Sequence, residues 1–434
     1  MKRKLYAAFF LFAVVAAALS IQGCRNRKHA TLRLRYWGDL EEIRIVEGIC
    51  RDFEKTHPGV HIAAERKDFA GYADLLLQEF AADVAPDVIF LSPDNVDRLT
   101  HAHKMADLSP YLEAEKDLKK TDYYEPLIQR FSTDGKLWLL PRDIAPIAVI
   151  YYNKDLFDKA KLPYPQDEWH WEDLRQDAKR LTVRDSEGKG VQWGFVDDWN
   201  ISEAWMLSAG GQQVDDYLSP SRLTLGSGAA AEGLLFRWKL LQKDRVMPSS
   251  SDNKALAGGN QALFTEGKAA MFHSGIWKTP AFRKIQGFQW DVVRFPTKAG
   301  AKDPGFPLGG SGYGMRDGAA DPATCWALIK ALAGPSGEEL MAMTGLTQPA
   351  LKALAASSTF LDGQDPKNKQ MLIYAAQHGH MTPVWEPWDE FLHTVWSPTT
   401  DPVWLDGYEG DPAAVFKQAQ DEGNKRFFKK ADPQ

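Results

Sequence analysis

The chain has 434 residues, and its 52 Lys and Arg against 58 Asp and Glu give a formal net charge of −6 at pH 7. This acidic balance argues against a nucleic-acid-binding protein, because contact with phosphates needs a basic surface. A chain of this length exceeds what one hydrophobic core usually holds, so we expect two domains.

The amino terminus has the pattern of an export signal. Three basic residues at positions 2–4 precede an uncharged, almost purely apolar run at 5–19. The run is shorter than the about 20 residues that a membrane-spanning helix needs, so we interpret residues 1–23 as a cleaved signal peptide. The following letters, IQGC, resemble the lipobox of bacterial lipoproteins, which implies lipidation of Cys24. An ordinary signal peptide with a cysteine by chance is the alternative.

Cleavage before Cys24 would change the charge of the chain. The signal peptide carries three positive charges and no negative ones, so the mature chain has a formal charge of −9. Polar residues at 24–30 would then tether the folded part to the lipid. No later segment is apolar enough to span a membrane, so we expect an exported chain, periplasmic or at the cell surface, that reaches the membrane through Cys24.

Two further cysteines, Cys50 and Cys325, lie on the apolar faces of predicted helices. In an exported chain they could form a disulfide, or they could be two small buried apolar residues. No Cys or His spacing indicates a metal site, and we expect no cofactor.

The first part of the mature chain alternates between strand and helix patterns. The predicted elements are a strand at 32–36, a helix at 43–53, a strand at 60–64, a helix at 72–80 and an all-apolar strand at 88–91. Asp39 and Glu42 have the spacing of a capping box for the first helix. The β-α-β-α-β order predicts a parallel sheet with helices on both faces.

Two loops leave the carboxyl ends of these strands, where ligands bind in such sheets. They are Trp37-Gly38-Asp39 and Ser92-Pro93-Asp94. Turn formation alone explains the Gly, Pro and Asp residues, but a turn has no need of an indole. We therefore take Trp37, Asp39 and Asp94 as candidate ligand contacts.

The rest of the chain mixes short elements. STDGKLWLLPRD predicts a hairpin around Asp134-Gly135, and residues 144–152 predict one long apolar strand interrupted by Pro146. Further predicted helices lie at 153–162, 170–182, 201–209, 228–242, 260–268, 321–333 and 337–343, strands lie in KAAMFHSGIW and FQWDVVRFPT, and the part after 345 is mostly helical. GFPLGGSGYGM is rich in glycine.

Six of these segments, taken in order, resemble the bacterial extracellular solute-binding proteins of ABC importers, in the sugar-binding group that includes maltose-binding protein. The segments are RDFEKTHPGVHI, YADLLLQEFAADVAPDVIFLS, DGKLWLLPRD with IYYNKDLFDKAKL, FTEGKAAMFHSGIW, WDVVRFPT and GGSGYGM. The resemblance spans nearly the whole mature chain. One departure concerns Thr347 and Gln348, which stand where this group commonly has a Gly-Tyr-Leu-Pro-like run, so the ligand cannot be copied from a relative.

The resemblance implies an α/β periplasmic-binding-protein fold, with a ligand cleft between two lobes that several hinge crossings join. It places the first lobe at 31–143 plus 298–334 and the second at 144–297 plus 335–434. It also implies a monomer that is not an enzyme. We expect this monomer to capture a solute, in this group a carbohydrate, and to deliver it to the permease subunits of an ABC importer.

A pyranose has an apolar face that stacks on aromatic rings and hydroxyls that need polar partners at its edge. Five tryptophans in loops or at element ends suit that chemistry: Trp37, Trp199, Trp277, Trp385 and Trp388. Asp143, at the predicted first crossing, could accept from a hydroxyl or cap the hinge. In the glycine-rich segment, Gly310 and Ser311 could bring backbone N–H groups to the ligand or form a flexible turn, and Tyr313 is a further candidate.

Other function classes remain open at this point. A secreted carbohydrate-active enzyme would need two carboxylates flanking one bond, and the sequence shows no such paired motif. An adhesin-like scaffold fits poorly with a chain without repeats. Relatives that carry glycerol phosphate or polyols make these ligands alternatives to a sugar.

Overall fold

The computed structural model describes residues 30–101, 103–199, 201–254 and 259–428. Cys24 and the predicted signal peptide lie outside these residues. The strands are β1 (Ala30–Tyr36), β2 (Val60–Arg66), β3 (Val88–Leu91), β4 (Ser132–Thr133), β5 (Lys136–Leu137), β6 (Leu140–Pro146), β7 (Val149–Asn153), β8 (Val183–Arg184), β9 (Gly190–Gln192), β10 (Val196–Asp197), β11 (Met271–Ser274), β12 (Trp290–Arg294), β13 (Phe306–Met315), β14 (Gln348–Pro349) and β15 (Gly379–His380).

Helices connect and cover these strands. They span Leu40–Thr56, Tyr72–Ala81, Pro93–His101, Ser109–Glu113, Glu125–Arg130, Lys154–Ala160, Trp171–Leu181, Ser202–Ser208, Gly228–Trp238, Ser250–Lys254, Gly259–Thr265, Thr279–Phe282, Pro322–Ala333, Pro335–Thr344, Lys352–Ala355, Ser358–Leu361, Gln370–Gln377, Trp388–Phe391, Ser397–Thr400 and Pro412–Phe427. Short 3-10 turns cover Lys120–Asp122, Ile276–Lys278 and Asp401–Trp404, and π turns cover Lys239–Lys243 and Leu392–Trp396. Within the described ranges, no helix is both long and apolar enough to cross a bilayer.

The strands form two main sheets. The first has the order β14-β6-β13-β3-β1-β2, with β15 also paired to β13, and the second has the order β10-β11-β7-β12. β1 runs parallel to both β2 and β3, which confirms the predicted parallel β-α-β-α-β start. The four residues of β3 are all buried, as expected for a strand covered on both faces.

The first helix, Leu40–Thr56, begins as its sequence predicts. The Asp39 carboxylate accepts hydrogen bonds from the backbone N–H groups of Glu41 and Glu42, at 2.9 and 3.2 Å. The helix buries an apolar face that includes Val46, Ile49 and Phe53. Glu42 does not complete a capping box, because its carboxylate turns inward to Arg142.

The predicted long strand at 144–152 is wrong, because the structure contains two strands in different sheets. β6 ends at Pro146 in the first sheet, and β7 begins at Val149 in the second. The last backbone hydrogen bond to the first sheet comes from Ile147, whose N–H donates to the Pro307 oxygen at 2.8 Å. Residues 147–148 therefore form the first crossing between the sheets.

The glycine-rich segment is not a flexible turn, one of the alternatives open from the sequence, since it forms the interior strand β13. It pairs antiparallel with β3 on one side and with β6 on the other. A Cβ at Gly312 would lie 2.6 Å from the Leu140 oxygen, and one at Gly314 would lie 2.3 Å from Met105 Cε. Glycine is therefore needed for close packing here rather than for flexibility.

The chain returns to the second sheet later than the sequence suggests. The predicted division assigns 335–434 to the second lobe, whereas β14 pairs with β6 and Met341 belongs to the core around the first sheet. Phe360 and Leu372, by contrast, belong to a core on the second sheet.

The two cysteines follow the second of the alternatives open from the sequence. Cys50 and Cys325 are buried free thiols in the core around the first sheet. Burial raises the pKa of each thiol to about 12, so both are protonated near neutral pH.

Candidate functional site

An aromatic surface lies where the strands of the first sheet end. Trp37, directly after β1, is half-buried, and its ring lies against Phe90, with centroids 4.3 Å apart. Phe69 packs edge-on to the same indole at 5.4 Å and is 57 % exposed. Phe69 follows β2, so the strand-end rule that singled out Trp37 could also have found it.

A buried ionic network lies beneath this surface. Arg142 pairs with Glu42 and with Asp143, whose Oδ2 lies 2.7 Å from Arg142 Nε. Ser311 Oγ also donates to Asp143 Oδ2. The Arg142 guanidinium lies over the Phe90 ring, 4.3 Å from its centroid. These contacts join β6, β13 and the first helix, and they leave Asp143 engaged with protein partners.

Burial also affects the protonation of Glu42 in this network. Burial raises the pKa of Glu42 to about 7, against the opposing effect of Arg142. Gly38 makes room for the carboxylate's stem, because a Cβ at that position would lie 2.1 Å from Glu42 Cγ. A substitution at Gly38 would therefore disturb both the Trp37 loop and the network.

The candidates on β13 lie inside the sheet. Tyr313 is fully buried, with its ring centroid 4.6 Å from that of Phe90, and its hydroxyl has no hydrogen-bond partner among the described residues. A Cβ at Gly310 would lie 2.7 Å from the backbone carbonyl oxygen of Asp143. Tyr313 thus supports the Trp37 surface through Phe90, and Ser311 does so through the Arg142 network. Direct contact of Gly310, Ser311 and Tyr313 with a ligand stays a prediction.

A second aromatic surface belongs to the second sheet. Trp277 lies in the 3-10 turn after β11, and Trp199 follows β10. The two rings are nearly parallel, with 19° between their planes and 6.0 Å between centroids, and Trp199 is 44 % exposed. Although its strand belongs to the second sheet, Trp277 packs against the core around the first. Trp277 therefore lies where the two lobes meet.

Polar side chains surround this tryptophan pair. Lys278 Nζ lies 2.8 Å from Asp198 Oδ2 and 2.9 Å from Gln261 Oε1. Ser274 Oγ donates to the same Asp198 oxygen at 3.0 Å. Asp198 and Lys278 were not among the ligand contacts predicted from the sequence. The position of Asp198 directly after a strand was a usable signal, whereas its pairing with Lys278 depends on the fold.

The remaining candidate residues lie away from the two aromatic surfaces or outside the described part of the structure. Trp388 is buried in a separate core that the C-terminal helices share with residues 206–234. Trp385 packs against that core, with its ring stacked on Phe428 at 4.5 Å between centroids. The structure does not bring this pair into the Trp199–Trp277 stack. The backbone of Asp94 lies in the helix Pro93–His101, but its side chain is outside the described part of the structure, as is Cys24.

The model of the bacterial extracellular solute-binding protein family matches residues 48–369. A galactooligosaccharide-binding protein of Bacillus subtilis is 24 % identical over 405 residues, covering 89 % of this chain and 91 % of the relative. Among solved structures, an ABC substrate-binding protein from Listeria monocytogenes in complex with cycloalternan has a TM-score of 0.79 at 22 % identity, covering 91 % of this chain and 98 % of that one. The maltotriose-bound maltose/maltodextrin-binding domain of Bdellovibrio bacteriovorus has a TM-score of 0.73 at 18 % identity, covering 92 % and 99 %. These similarities confirm the predicted two-lobed α/β fold.

Proposed function

Because the chain belongs to the bacterial extracellular solute-binding protein family, we propose that it captures a carbohydrate between its two lobes and delivers it to an ABC importer. The observation that carries this proposal is the position of Trp277, which extends from the second sheet and packs against the core of the first. The saccharides named with the similar solved structures support the same ligand class.

The two surfaces offer what a pyranose needs. Trp199 and Trp277 on one lobe, and Trp37 with Phe69 on the other, supply rings for the apolar C–H face of a sugar. Asp198 and Lys278 supply a charged acceptor and donor for its hydroxyls. A ligand held from both sides would bind the closed arrangement better than the open one, which couples capture to a hinge motion.

The charges of the site disfavour a phosphorylated ligand. Arg142 is buried and already pairs with Glu42 and Asp143, so its charge is neutralised inside the protein. On the second lobe, Lys278 is paired with Asp198. Neither cation is left to balance the charge of a phosphate. A neutral hydroxyl, by contrast, can hydrogen-bond to a charged group that is already paired.

The same arrangement argues for binding rather than catalysis. Glycoside hydrolysis needs one carboxyl group as an acid and a second one on the other side of the scissile glycosidic bond. Glu42 and Asp143 instead share one buried guanidinium. We further propose that a lipid on Cys24 holds the exported chain at the membrane through the tether at 24–30.

A thermal-shift screen with neutral saccharides, mannitol and glycerol 3-phosphate tests the ligand class. A ligand at 100 times its dissociation constant should stabilise the protein by about 2.7 kcal/mol. Stabilisation by glycerol 3-phosphate or mannitol alone would overturn the proposal. Chromatography of each bound saccharide after incubation should return it intact, and released products would favour a carbohydrate-active enzyme.

A further inference from the structure

A cavity of about 400 Å³ opens beside Trp199. Its walls include Asp197, Trp199, Arg237, Asn260, Asp401 and Trp404. All of these residues lie on the second lobe as the sequence divides the chain. Trp199 is shared with the tryptophan pair described above, so the cavity continues from the proposed sugar site.

Arg237 lines this cavity and has one unused hydrogen-bond donor. The side chain is only 6 % exposed, and its Nε and Nη2 atoms lie 3.0 and 2.9 Å from Asp197 Oδ2. Its Nη1 is buried and has no hydrogen-bond partner in the described ranges. A buried N–H group without an acceptor is costly, so a ligand oxygen at this point would be stabilising.

The charges that line the cavity indicate which kind of ligand oxygen would accept this hydrogen bond. Asp197 neutralises Arg237, and Asp401 adds a second carboxylate to the lining. A carboxylate or phosphate ligand would therefore meet no net positive charge, whereas a hydroxyl can accept from Nη1 without adding charge. The Trp404 ring, with its centroid 4.7 Å from the Arg237 guanidinium carbon, gives the cavity a second indole besides Trp199.

We propose that this cavity binds an additional neutral pyranose unit of an oligosaccharide whose other units lie at Trp199 and Trp277. The inference rests on the proposed function and narrows it, because it makes the preferred ligand longer than one sugar. The volume lies within the range of ligand-binding pockets. A hydroxyl of the added unit accepts from Arg237 Nη1, and its apolar face lies against an indole.

Two variants and one control test this. Arg237→Lys keeps a positive charge beside Asp197 but removes the Nη1 donor. Leu405→Trp fills the cavity from its wall, at a side chain that is already 50 % exposed. Leu218→Trp is the matched control, since Leu218 is 53 % exposed and does not line the cavity. Melting of the ligand-free variants shows that each is folded.

Calorimetric titration with the mono-, di- and trisaccharides of the α-glucose, β-galactose and β-mannose series gives the readout. We expect the trisaccharide of one series to bind more tightly than its monosaccharide. Each cavity variant should lower that ratio of affinities roughly tenfold, the scale of a hydrogen bond to a charged group, and Leu218→Trp should preserve it. Affinity independent of length, or equal ratios in all variants, overturns this inference and leaves the proposed function standing. Absence of binding by every saccharide overturns both.

Discussion

Replacing Trp277 by alanine should weaken sugar binding more than it weakens the fold. The indole is half-buried, lies nearly parallel to Trp199 and packs between the lobes. Its loss removes a large rigid face of the kind that dominates binding energy, worth roughly 2 kcal/mol or about 30-fold in the dissociation constant. Trp277→Phe keeps a smaller face and should lose less.

The stability control is Trp171→Ala. Trp171 is buried in the second lobe, its Nε1 donates to Ser208 Oγ at 3.0 Å, and its ring stacks on Phe236 with centroids 4.8 Å apart. Removing it should cost about 3–5 kcal/mol of unfolding free energy. The half-buried Trp277 loses fewer packing contacts, so Trp277→Ala should melt closer to the parent.

Calorimetric titration with the best saccharide of the screen, together with melting of the ligand-free proteins, separates the two effects. The same pair of measurements on Trp37→Ala tests the opposite surface. If Trp277→Ala and Trp37→Ala bind normally but melt early, both indoles are core residues. The reasoning would then fail, and the site would have to be sought around Trp385.

Three more outcomes follow from the structure and the sequence. Small-angle scattering should give a smaller radius of gyration with saturating saccharide, and an unchanged radius would indicate a rigid pocket. Cys24→Ser should abolish incorporation of a fatty-acid analogue in cells, and equal labelling of variant and parent would exclude a lipid at this residue. Burial raises the Glu42 pKa from 4.5 to about 7, so the folded state holds this proton more tightly and its stability falls as pH rises between these values, by at most about 3 kcal/mol. Glu42→Gln should therefore lose less stability than the parent between pH 5 and 7 in chemical unfolding, and identical slopes would contradict the assignment.

Local patterns in the sequence predict part of the fold well. The first helix was predictable from the 3.6-residue period of its apolar positions, and β3 from an apolar run that is too short for a helix and is bounded by turn residues. β13 was not, because glycine has low strand propensity and its place depends on contacts with β6 and β3, which are distant in sequence. The local sequence did not predict that the apolar segment 144–152 is divided into β6 and β7, because that division depends on which sheet each strand joins.

The site shows the same limit. The rule that ligands gather beyond strand ends picked out Trp37 from the sequence. It does not reveal that Asp143 is occupied by Arg142 and Ser311, since those contacts join separate elements. Nor does it distinguish the buried Tyr313 from an exposed ring.

The position of β13 has a consequence for the order in which the protein can fold during synthesis. β13 lies between β3 and β6, although the ribosome makes it more than 150 residues after β6 has been completed. Until then, β3 and β6 lack the neighbour that joins them, and the first lobe cannot finish its sheet. About 70 % of the 434 residues are made before this strand begins, so a chain that is exported before it folds, as the predicted signal peptide implies, would gain time from this delay.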